Sequence, residues 1–148
     1  MLSLSRTSRR IAGLLLLSVT AIESGGYFLT RVSSGREELT EFQESFARAG
    51  HGHAGVLVIL SLVAVMLADA AALSGVIGYV SRLAIPAAAI LMPAGFFLSS
   101  SAPDATGPGG SVILLWVGAI CLAIGVITLG VGLLRSSMRP DPPGSTAA

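Results

Sequence analysis

The chain has 148 residues, of which 53% are hydrophobic and 11% charged, and its mean hydropathy is +0.82. A soluble domain carries roughly 25% charged residues, and a fold of this size leaves too much surface exposed to hide so apolar a composition. With a net charge of +1 and a single Cys, the composition argues against a cytosolic enzyme, a nucleic-acid binder and a disulfide scaffold.

Four apolar stretches run at about Ile11–Leu29, Ala54–Leu73, Val80–Leu98 and Ser111–Leu134. A helix needs about 20 apolar residues to cross a hydrocarbon core of roughly 30 Å. Lipid also forces each backbone N–H and C=O to pair within its own segment. The expected fold is therefore an all-α integral membrane protein. It has one domain over residues 1–139, a four-transmembrane-helix bundle with a short amphipathic interfacial helix between helices 1 and 2.

The first stretch follows a basic leader of Arg6, Arg9 and Arg10, and Val19-Thr20-Ala21 would suit signal-peptide cleavage. The apolar run resumes after Glu23 with Tyr27, Phe28 and Leu29, so a retained first helix is expected. Glu23 lies eight residues inside Arg31, about 12 Å along the helix. A carboxylate at that depth costs a few kcal/mol, so it needs a partner, water or a proton.

The connector contains Ser34 and Glu37, spaced as a capping box, followed by Leu39, Phe42 and Phe46 on one stripe. That pattern predicts the short interfacial helix, read as a plain connector ahead of a partner-binding element. Next comes Gly50-His51-Gly52-His53-Ala54-Gly55, with both histidines of the chain. On a regular helix these two imidazoles point about 200° apart and do not share a metal. If the helix runs through the glycines, His53 joins the stripe of Phe42 and Phe46 and points into the bundle. Glu23, His51 and His53 form the candidate proton or ligand site, with a Glu23–His53 pair as its simplest form. Glu41 and Glu44 are the more remote acids.

Asp69, near the end of the second stretch, and Arg82, opening the third, are expected to form a structural ion pair. The third stretch carries Pro86 and Pro93, which membrane helices tolerate, and a kinked helix is expected. The fourth has Gly118, Cys121, Gly125, Thr128 and Gly132 on one face, a helix-packing stripe that suits either intrachain contact or a homodimer. The tail 140–148, rich in Pro, is expected to be disordered and cytoplasmic.

All nine basic residues are Arg. Six (6, 9, 10, 82, 135 and 139) fall on the side of the termini and three (31, 36 and 48) on the other. The positive-inside rule therefore predicts cytoplasmic N- and C-termini in the cell (plasma) membrane.

No phosphate-binding loop, nucleophile elbow, CxxC or HExxH is present. The chain resembles the small multidrug resistance transporters in its four short spans, a lone carboxylate in the first (Glu23) and a glycine-lined fourth. It departs from them in the long connector, the Gly-His-Gly-His segment and its greater length. Its all-Arg, Ala/Gly/Leu/Val-rich composition is similar to that of small membrane proteins from high-GC bacteria.

The leading expectation is a non-enzymatic accessory or structural component of the bacterial cell membrane, in contact with lipid and in a homodimer or larger complex. One alternative is a proton-coupled small transporter using Glu23. The other is a haem- or metal-binding redox subunit using His51 or His53, with Met66 or Met92 as a further axial ligand. No cofactor is predicted in the leading reading.

Overall fold

The computed structural model describes residues 3–138, so the tail 140–148 lies outside the described residues. Within them the chain is helical and contains no strand. Helix α1 spans Arg6–Ser33, α2 Glu41–Ala70, α3 Gly75–Ser99 and α4 Ile113–Ser137, the last entered through a 3₁₀ turn at Gly110–Val112. All four are long and apolar enough to cross a membrane. At 28 and 30 residues, α1 and α2 reach about 42 and 45 Å, well past a hydrocarbon core of roughly 30 Å.

The connector differs from expectation. Ser34 does not start a helix; it ends α1. Its N–H donates to the Thr30 carbonyl, and Gly35 follows at φ +69°. The Gly35 N–H then donates to Val32 and the Arg36 N–H to Arg31, at 3.0 Å each. This is a Schellman C-cap, in which the left-handed residue is best supplied by glycine.

Glu37 turns back to pair with Arg31 at 2.6 Å instead of capping a new helix. The real capping box is Thr40 with Gln43, and α2 then runs unbroken through the Gly-His-Gly-His segment. The amphipathic stretch is thus the first turns of α2, and no separate interfacial helix forms. Its stripe faces protein: Phe42 stacks on Phe46 at 4.2 Å, and Phe46 meets Phe96 of α3 edge-on at 5.3 Å.

Those first turns also hold the α3–α4 loop. Thr40 Oγ1 donates to the Ala105 carbonyl at 2.5 Å, and Gln43 Nε2 donates to Ala102 at 2.9 Å and Ser100 at 3.2 Å.

Helix α3 is the centre of the molecule, packed between α2 and α4, while α1 rests chiefly on α2. It starts at Gly75, earlier than its hydropathy suggests, and continues through Pro86 and Pro93. The core joins Leu15 of α1 to Leu57 and Val58 of α2 and to Ala88, Ala89 and Met92 of α3. A second cluster joins Ala64 and Ala68 to Ile85 and Leu129.

Small residues permit this proximity, as is usual where lipid supplies no hydrophobic contrast between helices. A methyl at Gly118 would lie 2.5 Å from Met92 Cγ, at Gly125 2.7 Å from Ile85 Cγ1, and at Gly132 2.8 Å from Leu73 Cδ1. In this chain the α4 stripe is therefore occupied by α3 and by Leu73 of the α2–α3 link. Cys121 packs beside the first core cluster. From the other side, Gly95 of α3 abuts the Leu115 backbone.

Candidate functional site

Two polar constellations and one groove stand out against the apolar scaffold. The first lies where α1 begins, α2 ends and α3 opens. Arg82 Nη2 contacts Asp69 Oδ1 at 2.6 Å, with side-chain exposures of only 12% and 5%. The guanidinium also donates through Nη1 to the carbonyls of Leu73 (3.0 Å) and Gly78 (2.8 Å), and through Nε to Ser8 Oγ (3.2 Å). The second carboxylate oxygen accepts the Ser5 N–H at 2.7 Å. Ser5 is the N-cap of α1, and Ser8 is fully buried. One ion pair thus ties three helices together, and its donors and acceptors are directed at protein groups. Ser5 and Ser8 gave no signal in the sequence, because only the chain's third dimension brings them to residues 69 and 82.

The second constellation contains the histidines. Because α2 is unbroken, the two imidazoles diverge. His53 packs against Phe96 with ring centroids 4.9 Å apart and planes tilted by 38°, and its Nδ1 lies 2.7 Å from the Ala49 carbonyl. His51 turns instead towards α1, where added methyls at Gly25 and Gly26 would each come within 3.3 Å of its ring. So His51, and not His53, is the imidazole beside the first helix, and the structure does not bring Glu23 to His53. Glu23 is exposed on a flank of α1 and takes part in none of the ion pairs among the described residues. Among those residues no group of three or more His, Cys, Asp or Glu stands ready to hold a metal ion. Met92 is buried in the core, whereas Met66 is exposed on α2.

The groove lies between α1 and α3 with α2 as its floor. It encloses about 450 Å³. Ile11, Leu15, Ser18, Ile22 and Gly25 line its α1 wall, and Leu83, Pro86, Ala89, Ile90, Pro93 and Phe97 its α3 wall. His51, Ala54 and Val58 come from the floor. Beyond its His51 end, about one turn further along both α1 and α2, a smaller polar pocket is lined by Leu29, Thr30, Ser33, Ser34 and Arg48. Glu23 lines neither. The sequence did carry a trace of this groove: Pro86 and Pro93 are seven residues apart and so share a helix face.

Comparison with protein-family models, with curated proteins and with solved structures finds no match. What the fold defines is a class: a small all-helical protein with four helices suited to spanning a membrane.

Proposed function

We propose that this chain is a non-enzymatic component of the cell membrane that works by lateral association, with α1 as its contact helix and a second copy as its partner. The observation that carries this reading is Glu23, exposed and without an ion-pair partner among the described residues, on a helix apolar enough to span. It does not stand alone. Gly13, Leu16, Thr20, Glu23, Tyr27 and Thr30 follow one another at alternating steps of three and four residues, and every one of them is exposed.

That spacing is the seam of a parallel helix pair. Copies inserted with the same topology present α1 in parallel at the same depth, so a two-fold axis along the membrane normal brings like residues together. The Thr20 and Thr30 hydroxyls donate to Leu17 and Tyr27 of their own helix and keep lone pairs that accept across the seam, where the Tyr27 hydroxyl and the Glu23 side chain supply the other polar groups. Interhelical hydrogen bonds in lipid contribute about 0.6–2 kcal/mol each.

Disulfide trapping in native membranes, in a Cys121→Ser background, tests the seam. Thr20→Cys and Leu16→Cys should cross-link between copies, whereas Leu14→Cys on the groove face should not. Glu23→Leu should weaken the Thr20→Cys cross-link several-fold, and Glu23→Gln should retain most of it. Cross-linking at Leu14→Cys equal to that at Thr20→Cys, or indifference to Glu23→Leu, would overturn the reading.

A proton-coupled transporter needs Glu23 to face a cavity, and a bis-histidine haem site within one chain needs His51 and His53 to converge. The observed placement of Glu23, His51 and His53 favours neither.

A further inference from the structure

The groove lies on the opposite side of α1 from the seam, which the polar pocket beyond it meets only at Thr30, and it has a chemistry of its own. It is apolar along its length, with Ser18 and His51 its only polar lining side chains among the described residues. Ser18 Oγ is committed to the Leu15 carbonyl at 2.7 Å. The His51 ring takes part in no hydrogen bond among the described residues, although it faces the groove. The α1 wall from Ile11 to Gly25 and the α3 wall from Leu83 to Phe97 each run for about 21 Å of helix rise.

A volume of about 450 Å³ spread over that length gives the cross-section of a single hydrocarbon chain, narrower than a helix about 10 Å across. One flexible chain fits. The polar pocket beyond His51 adds Arg48, which is 58% exposed and held by a contact with Glu44 on its own helix. Such exposed pairs are worth only about 0–1 kcal/mol, so a better acceptor displaces the Glu44 carboxylate readily.

We infer that the α1–α3 groove binds a single-chain amphiphile, its hydrocarbon tail lying between Ile11 and Gly25 and its carboxylate-type head held by His51 and Arg48. A head of that kind accepts hydrogen bonds from both side chains, and a guanidinium holds a carboxylate with two parallel bonds. The volume lies within the usual range of ligand pockets, about 300–1,000 Å³. Small residues leave room at the His51 end: Gly25 and Gly26 let the imidazole approach α1 closely.

The test uses the full chain purified in a mild neutral detergent and titrated with oleate, with binding read by native mass spectrometry. One oleate per chain is expected. Oleyl alcohol, which has the same tail without the carboxylate, should bind at least fivefold more weakly. Arg48→Gln and His51→Ala should each weaken oleate by about five- to tenfold, and Glu44→Gln should tighten it by releasing Arg48. Ala21→Phe enters the groove from an exposed position, so the fold should tolerate it while oleate binding is lost. Glu23→Gln, on the other face, should change nothing. Undiminished oleate binding by Ala21→Phe would overturn the site, and equal binding of oleate and oleyl alcohol would overturn the role of the head.

Discussion

Asp69 and Arg82 show how much a single buried pair settles in this molecule. A charge removed from water is tolerated when its partner and further hydrogen bonds are in place, and it becomes a liability when one side is deleted. Arg82→Leu leaves the Asp69 carboxylate with the Ser5 N–H and little else, so stability in detergent should fall by about 3–5 kcal/mol. Asp69→Leu combined with Arg82→Leu should recover a large part of that loss, and the double-mutant cycle measures the coupling. A coupling near zero would mean that the pair does not hold the helices. The pairing partners were legible in the sequence, because two opposite charges flank a short apolar link. The same reasoning misassigned the imidazole next to α1. His51 and His53 differ by two residues, about 200° on a helix, and only the packing of α2 between its neighbours decides which ring meets which helix.

At the scale of an element, the caps are the informative features. Helix α2 ends like α1, with the Ala72 N–H donating to Asp69 at 2.9 Å and the Leu73 N–H to Ala68 at 3.0 Å. Here, however, the left-handed position is filled by Ala72 at φ +50°. An L-residue pays about 1–2 kcal/mol for that conformation, more than the unfolded-state entropy that glycine adds back. Ala72→Gly should therefore raise stability by roughly 0.5–1 kcal/mol, and Ala72→Val should lower it. Thermal unfolding in detergent checks both, and a less stable glycine variant would contradict the cap geometry. The connector shows the converse ambiguity. Ser34 and Glu37 match a helix start in spacing, yet Ser34-Gly35 also matches a helix end. The end prevailed because α1 continues to Ser33, and Gly35 is the residue that supplies the left-handed turn.

At the scale of the whole molecule, the arrangement is a closely packed set of α2, α3 and α4 with α1 alongside. The caps and loops divide the two ends: the Arg82 cluster at one, and the loop held by Thr40 and Gln43 at the other. The excess of Arg at the end bearing the termini supports the proposal that this end lies in the cytoplasm. Reporter fusions after Ser136 should accordingly show cytoplasmic activity, and fusions near Gly107 an external signal. The opposite pattern would invert the proposed topology, though not the contacts within the fold.

The class of this protein was determined by its sequence alone, because hydropathy is additive along a chain. Four apolar runs, scarce charge and small residues repeated on one face of α4 need no tertiary information to read. Tertiary structure alone decided how those faces are used. The glycine stripe at 118, 125 and 132 suited either a neighbour in the chain or a second copy, and the close approach of Met92, Ile85 and Leu73 assigns it to the chain. Glu23 was legible as an anomaly, but its exposure depends on the way α1 rests on α2. The groove was the least visible feature. Its walls come from segments 11–25 and 83–97, far apart in the chain, and it exists because α1 and α3 flank α2 without closing on each other.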